Sequence, residues 1–379
     1  MVSTNFYTMN IYLNDNDMNI DNYLFNDFTI YETIHFGMYH AALTFSNKTP
    51  IFKETPLMAG NKIKVSINFQ DEKVSRDYNF IIHEVKEHPE IIIVILMPDI
   101  GLKLIKDDFT KGYSGKIDTI VSQIASDAGI TQTEIEPVSL PTVTILQSNI
   151  NNFQFIKSLI KKSKNGENGT ASYIFFIDKT NKLKFYSVKY LKSKQELGTI
   201  TDNFITNLEI QDTSFALQMK SGYGGRGFYF NWDTGSMTEI GIGVPELQKI
   251  SSSNNNILST KLGVVKDYVN KNNKLMMLNP IIKDLYFDEK YNSVELENEV
   301  LRKNYFNTFV IFRTFCNLDL TPAEILNLNF KSSINDTNKS LSGKWIIYEV
   351  INNFNLAEAT SQVKLTNNFV YGNKNANIL

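Results

Sequence analysis

The sequence predicts a mainly β protein with an α/β insertion, in which two similar β-barrel domains in one chain flank the inserted unit. Three observations predict it. Aromatic residues are 12% of the 379 residues, with 26 Phe and 18 Tyr. Together with Val and Ile these suit pleated, half-buried strands, and the abundant Asn suits tight turns between them. Second, two distant segments resemble each other. Ile67–Val85 and Leu328–Val350 each carry INF or LNF, a polar insert, and then FIIHEV or WIIYEV. Phe80, Ile81, Ile82, His83, Glu84 and Val85 align with Trp345, Ile346, Ile347, Tyr348, Glu349 and Val350, and Gly60–Ile63 and Pro322–Ile325 precede the respective first strands. A duplicated β-domain accounts for this; the alternative is chance likeness between apolar hairpins drawn from a limited alphabet. Third, helical periodicity is concentrated between the two copies.

These features divide the chain into a first barrel at 1–105, an inserted α/β domain at 106–198, and a second barrel at 199–379 with an excursion and helix at about 251–304. The length agrees, since compact domains hold about 150 residues each. In the first barrel, the apolar run Ile91–Met97 is closed by Glu90 and Pro98. It falls far short of the roughly 20 residues of a membrane-spanning helix. Met1–Asn22 is polar and acidic, unlike a secretory signal, so a water-soluble chain is expected.

In the insertion, Ile117, Ile120, Val121, Ile124, Ala125 and Ala128 share one helical face, with Ser114 as the expected cap and Gly129 as the stop. A second helix is expected from Phe153 to Lys162, burying Phe153, Ile156, Leu159 and Ile160 and ending in Lys161 and Lys162. YIFFID and KLKFYSV then read as a hairpin around a Lys179–Lys182 turn. From Asn203, FITNLEIQD, SFALQMK, RGFYFNWD and TEIGIGV read as strands that begin the second barrel. Ser251–Asn256 is a polar linker, and Val264–Lys274 has no clear pattern. Asn292 and Glu295 have capping-box spacing for a helix at about Ser293–Asn304, which feeds a strand at Phe306–Phe315. The tail from Tyr371 to Leu379 is expected to fray.

Chemistry-bearing patterns are sparse. GYGGRG at Gly222–Gly227 matches a dinucleotide fingerprint, but the aromatic FYFNWD after it predicts a strand where the pyrophosphate needs a helix N-terminus. A glycine hairpin turn is expected instead. His83 and His88 are five residues apart, so neither a helix nor a strand gathers them with Glu84 for zinc. There is one cysteine, Cys316, expected as a buried structural thiol, and no G-x-S-x-G elbow. Forty acids leave a carboxylate pair open, but Asp107 and Asp108 read as a solvated turn. Lys157–Lys164 is the most basic stretch and reads as a solvated helix end; the formal net charge of -2 argues against a chain built to grip nucleic acid. No catalytic, cofactor-binding or metal-ligating residue is therefore expected. The leading rival to a structural role is a receptor- or carbohydrate-binding protein that stacks sugars on Tyr223, Phe228 and Trp232.

Three stretches taken in order resemble a known family, the central hub proteins of contractile phage tail baseplates, also seen as the ring-forming part of type VI secretion spikes. CNLDLTPAEILNLNF with LSGKWIIYEVINNF and ATSQVKLTNN is similar to the family's closing barrel, FTKGYSGKIDTIVSQIASDAGI to its inserted helix, and NNFQFIKSLIKKS with YIFFIDKTNKLKFYSV to its helix and hairpin. The signature is carried by Phe80, Ile81, Ile82, Glu84 and Val85 in the first copy. In the second it is carried by Ser342, Gly343, Trp345, Ile346, Ile347, Glu349 and Val350. Ala323 and Glu324 stand where the family commonly has Gly-Asp, and Asn352 or Asn353 where a His is frequent. The resemblance implies tail-tube-like barrels and a structural, non-enzymatic homotrimer in the virion baseplate. Its six barrels would form a pseudo-six-fold ring, with the tail tube protein, the central spike protein and other baseplate proteins as partners. DNA would pass through without specific binding. No needle segment follows the second barrel, so the spike is expected to be a separate chain.

Overall fold

The structure is a computed structural model that describes residues 2–4, 6–18, 20–47, 56–69, 75–138, 142–165, 173–212, 225–231, 236–242, 274–277, 294–295, 298, 306, 308–329 and 342–366. It is mainly β. The first half contributes β1 (Val2–Ser3), β2 (Tyr7–Leu13), β3 (Asn16–Asp17), β4 (Phe25–Thr33), β5 (His40–Ser46), β6 (Lys62–Phe69), β7 (Arg76–Glu87) and β8 (Ile91–Pro98). Alternation decides which face is buried: Tyr7, Met9, Ile11 and Leu13 of β2 and Ile92, Val94 and Leu96 of β8 all enter one core.

The insertion holds α1 (Asp99–Ile105), β9 (Asp108–Gly115), α2 (Ile117–Asp127), β10 (Thr133–Ile135), β11 (Val143–Asn151), α3 (Asn152–Lys161), β12 (Tyr173–Ile177), β13 (Leu183–Ser187) and α4 (Val188–Ser193). The expected stripe of α2 is buried, and Gly129 follows its end with φ +73°. The start differs from expectation. Lys116 precedes the first turn without a side-chain cap, and Ser114 lies in β9, where its hydroxyl meets that of Thr144 at 3.3 Å. In α3, the Asn151 side chain accepts from the backbone N–H of Gln154, and Ile156, Leu159 and Ile160 are buried as expected, but the fourth buried apolar residue is Phe155, Phe153 being half-buried against Phe175. β12 and β13 form the expected antiparallel hairpin, extended by β10 in parallel.

The second half contributes β14 (Thr199–Thr201), β15 (Thr206–Asp212), β16 (Gly225–Asn231), β17 (Ser236–Ile242), β18 (Lys274–Met277), β19 (Thr308–Phe315), β20 (Ile325–Asn329), β21 (Gly343–Asn355) and β22 (Ala359–Thr366). β16 and β17, expected in the second barrel, instead form a local hairpin joined by β18 in a separate sheet. SFALQMK lies outside the described residues, as does the linker at 251–256. Of the expected helix near 293–304, the described Val294, Glu295 and Asn298 are helical.

β9 and β11 pair antiparallel as a two-stranded sheet, and among the described residues the remaining strands join into one 14-stranded sheet with the path β1-β2-β6-β7-β8-β5-β4-β21-β22-β19-β15, with β3, β14 and β20 branching from it. Within it the two matched segments have the same construction. Phe80 lies opposite Ile63 as Trp345 lies opposite Leu326, and Ile82 opposite Leu96 as Ile347 lies opposite Leu365. Each long strand bulges at the same place, at His83 between Ile82 and Glu84 and at Tyr348 between Ile347 and Glu349. The extra residue inverts the alternation, so that burial passes from Trp345 and Ile347 to Val350, Asn352 and Phe354. The turns before β6 and β20 also coincide. Gly60 and Ala323 each donate an N–H to Ile82 and Ile347, and both have positive φ, +90° and +61°. The correspondence continues through β5 and β4 to β19 and β15: Ala41 pairs with Leu96 and Ile30, while Val310 pairs with Leu365 and Ile210.

At Gly60 a Cβ would meet no atom within 4 Å, so only backbone strain opposes a side chain there. Gly60→Ala should lower unfolding stability by roughly 1–2 kcal/mol. Ala323 is fully buried, so Ala323→Gly relieves comparable strain but deletes a packed methyl of about 0.8 kcal/mol and adds roughly 0.5–1 kcal/mol of chain entropy to be lost on folding, leaving a change near zero. Denaturant midpoints of the two variants test this contrast, and equal losses would contradict it.

Candidate assembly interface

The two copies are joined through a buried ionic cluster. Glu32 of β4 is fully buried; its carboxylate accepts from Lys179 Nζ at 2.6 Å, and the same ammonium donates to the carbonyl of Leu320 at 2.6 Å. Lys184 Nζ lies 2.7 Å from Glu324 and 3.3 Å from Asp178, and Lys194 Nζ bridges Glu324 at 2.9 Å and Glu134 at 3.0 Å. Lys182 reaches Glu134 at 2.9 Å. The charges balance, four carboxylates against four ammoniums. Burial pushes the Glu32 carboxyl upward even against Lys179. Burial also works upward on Glu134, but Lys182 and Lys194 more than offset it and hold that carboxyl below the ordinary range.

The cluster draws on all three parts of the chain, with Glu32 from the first copy, Glu324 from the turn of the second, and the lysines from the β12–β13 hairpin and α4. An apolar layer beneath it does the same: Ile34, Ile174, Tyr186, Val188, Leu191, Ala323, Ile325 and Ile346 pack together, and the Tyr186 hydroxyl donates to the carbonyl of Ala323. The turn at Ala323 and Glu324 thus becomes the fastening point of the insertion. Its role fixes how β4 lies on β21. These strands pair antiparallel from Glu349 opposite Thr33 to Asn355 opposite Asp27.

That junction has an unfilled counterpart. The stretch of β21 that receives β4 corresponds to β7 from Glu84 onward, and the strand corresponding to β4 is β15. Among the described residues, β7 pairs with β6 only up to Ile81, so beyond it that side of β7 carries no strand. Among the described residues β15 likewise pairs with β19 alone. Glu84, Lys86, Glu87 and His88 are exposed at the first edge, and Phe204, Leu208 and Glu209 at or near the second. Open edges of this kind are templates for another strand.

The signature residues divide accordingly. Phe80, Ile82, Trp345, Ile346, Ile347 and Val350 are buried, Ile81, Val85, Gly343 and Glu349 are half-buried, and Ser342 and Glu84 are exposed. Phe80, Ile82 and Val85 belong to one core, Trp345, Ile347 and Val350 to a second, and Ile346 to the apolar layer under the ionic cluster, so they are not brought together into one pocket. His83 and His88 are both exposed, His83 at the bulge. Cys316 is half-buried, not buried as expected, because it packs at the margin of the first core. Gly225 and Gly227 are strand residues paired with Ile242 and Ile240, and Phe228 follows in β16, while residues 222–224 and Trp232 lie outside the described part. Lys157 is half-buried: it donates to the carbonyls of His35 and Phe36 and lies 5.1 Å over the Phe153 ring, while Lys161 at the helix end is exposed. No group of three potential metal ligands occurs among the described residues, and none of their helices is long and apolar enough to cross a membrane.

Sequence reasoning read Lys179–Lys182 as a turn and missed the cluster. Lys184 carried the signal: a lysine inside KLKFYSV, between residues that all face packed neighbours, needs a buried counter-charge. Replacing Lys179 with Met strands Glu32 in the interior. Lys179→Met should cost about 3–5 kcal/mol, and Glu32→Leu/Lys179→Met should recover much of it. Urea unfolding of the two variants measures this; a double variant as unstable as the single one would contradict it.

No protein-family model and no curated protein sequence matches the chain. Solved structures do. The tail protein from Neisseria meningitidis MC58 superposes with a TM-score of 0.60 at 7% identity, covering 96% of this chain and 98% of that one. The 43 kDa tail protein of prophage MuSo2 from Shewanella oneidensis also gives 0.60, at 8% identity, again with 96% and 98% covered. Nearly the whole of each molecule takes part. The chain has the fold of these two tail proteins.

Proposed function

We propose that this chain is the structural hub of a phage tail baseplate, a homotrimeric pseudo-six-fold ring that adapts a hexameric tail tube to a trimeric spike. The observation that carries this is the junction between the copies: one acceptor edge is filled by β4 within the chain, while among the described residues its counterpart on β7, and the outer edge of β15, the counterpart of β4, carry no strand. A donor and a different acceptor on one molecule make a head-to-tail contact, which closes into a ring when the rotation permits. Three chains supply six like sheets, three junctions within chains and three between them. The likeness to two tail proteins, one of them from a prophage, supports the placement in a tail.

The upper face of the ring would seat the tube protein, and the lower face the spike and other baseplate proteins. The hub acts by geometry and performs no bond chemistry. DNA passes through its lumen, which is best lined by neutral or acidic groups, because a basic track would hold the phosphates by releasing their counterions. The chain's net charge of -2 agrees with a conduit more than a grip.

Light scattering across a size-exclusion peak should give three times the chain mass of 43.4 kDa, alone or after addition of the spike chain. The same trimer should form no stable complex with duplex DNA at physiological salt. A monomer under both conditions, or tight duplex binding, would contradict the proposal.

A further inference from the structure

We infer that β15 of one copy adds antiparallel to β7 of the next, with Lys86 opposite Gln211 of the neighbouring copy. The inference rests on the ring proposed above and deepens it by naming the strands and their register. It follows by transferring the internal junction through the duplication. Ile347 and Glu349 flank the bulge of β21 as Ile82 and Glu84 flank that of β7, so Ile351 corresponds to Lys86. Ile30 corresponds to Ile210, since each lies opposite the matched residues Ala41 and Val310, so Tyr31 corresponds to Gln211. Inside the chain Ile351 lies opposite Tyr31. The counterpart junction therefore sets Lys86 opposite Gln211, Glu87 opposite Ile210, and His88 opposite Glu209.

The side chains fit this register. Gln211 and Glu209 share a face, their side chains hydrogen-bonded at 2.8 Å, as do Lys86 and Glu84 at 3.4 Å. Lys86 then stands diagonal to Glu209, so opposite charges meet along the outer face, and the His88 ring lies directly across from Glu209. On the other face half-buried Val85 comes diagonal to half-buried Ile210, where the internal junction places Val350 beside Ile30. The pairing type transfers too. Ile34 donates its N–H to the carbonyl of Tyr348 at 3.1 Å, which marks that pair as hydrogen-bonded. Three residues on, Tyr31 and Ile351 form a pair of the non-hydrogen-bonded type, the closer one, with Cα atoms about 4.5 Å apart.

That spacing is within reach of a disulfide, whereas a register shifted by two residues is not. In a Cys316→Ser background, Lys86→Cys/Gln211→Cys should give a ladder ending in covalent trimers on a non-reducing gel, and Glu84→Cys/Gln211→Cys should give little. A second test needs no cysteine: Glu209→Lys should weaken trimer formation about threefold, and Lys86→Glu/Glu209→Lys should restore it. Trimers by mass without the Lys86–Gln211 link, or linked better through Glu84, would overturn the register and leave the ring standing. A chain that stays monomeric in every variant and in the wild type would overturn both.

Discussion

An antiparallel pairing between β4 and β21 is the constraint from which the rest of the molecule follows. It welds the edge of the first copy to the long strand of the second, turning two like sheets into one. Because the copies share their bulge, their turn and their strand partners, whatever makes β21 an acceptor is present in β7, and whatever makes β4 a donor is present in β15. A duplicated unit with one such joint inside the chain leaves an equivalent joint outside it. Water is a poor long-term partner for a bare sheet edge, so the open pair invites a second copy.

The buried ionic cluster determines how that joint is held. Eight charges in or near the interior are costly to desolvate, and apolar packing of similar volume would often be as stable or more so. What the ions add here is direction. Lys179 ties Glu32 of one copy to the Leu320 carbonyl of the other, and Lys184 and Lys194 clamp Glu324 in the turn beside β20. Shifting β4 along β21 would leave Glu32 unpaired. The inserted domain thus serves as a splint across the duplication, its β12–β13 hairpin set against both copies.

Much of this architecture could be read from the residues. FIIHEV and WIIYEV were visible as a pair because both strands are buried on one side and bulge at the same step, which keeps the order of apolar types. The helices α2 and α3 were legible because each buries a full stripe. Other parts left weaker traces. α1 directly follows β8 at Pro98 and is only seven residues long, with Gly101 in its first turn, too short to show a period. β9 is largely exposed and reads DFTKGYSG, which resembles a loop until β11 pairs with it. The charge cluster was obscured because a lysine in a turn is usually solvated, and only the tertiary fold brings Glu32 to Lys179 across 147 residues. The open edges could not be read at all, since an unpaired strand has the same sequence as a paired one.

The most direct measurement is end-on electron microscopy of the assembled particle. The account predicts a closed ring with six similar lobes around an open centre, built from three chains and carrying three smaller inserted domains at its periphery. A particle with three lobes and no six-fold modulation, or an open arc that fails to close, would contradict it.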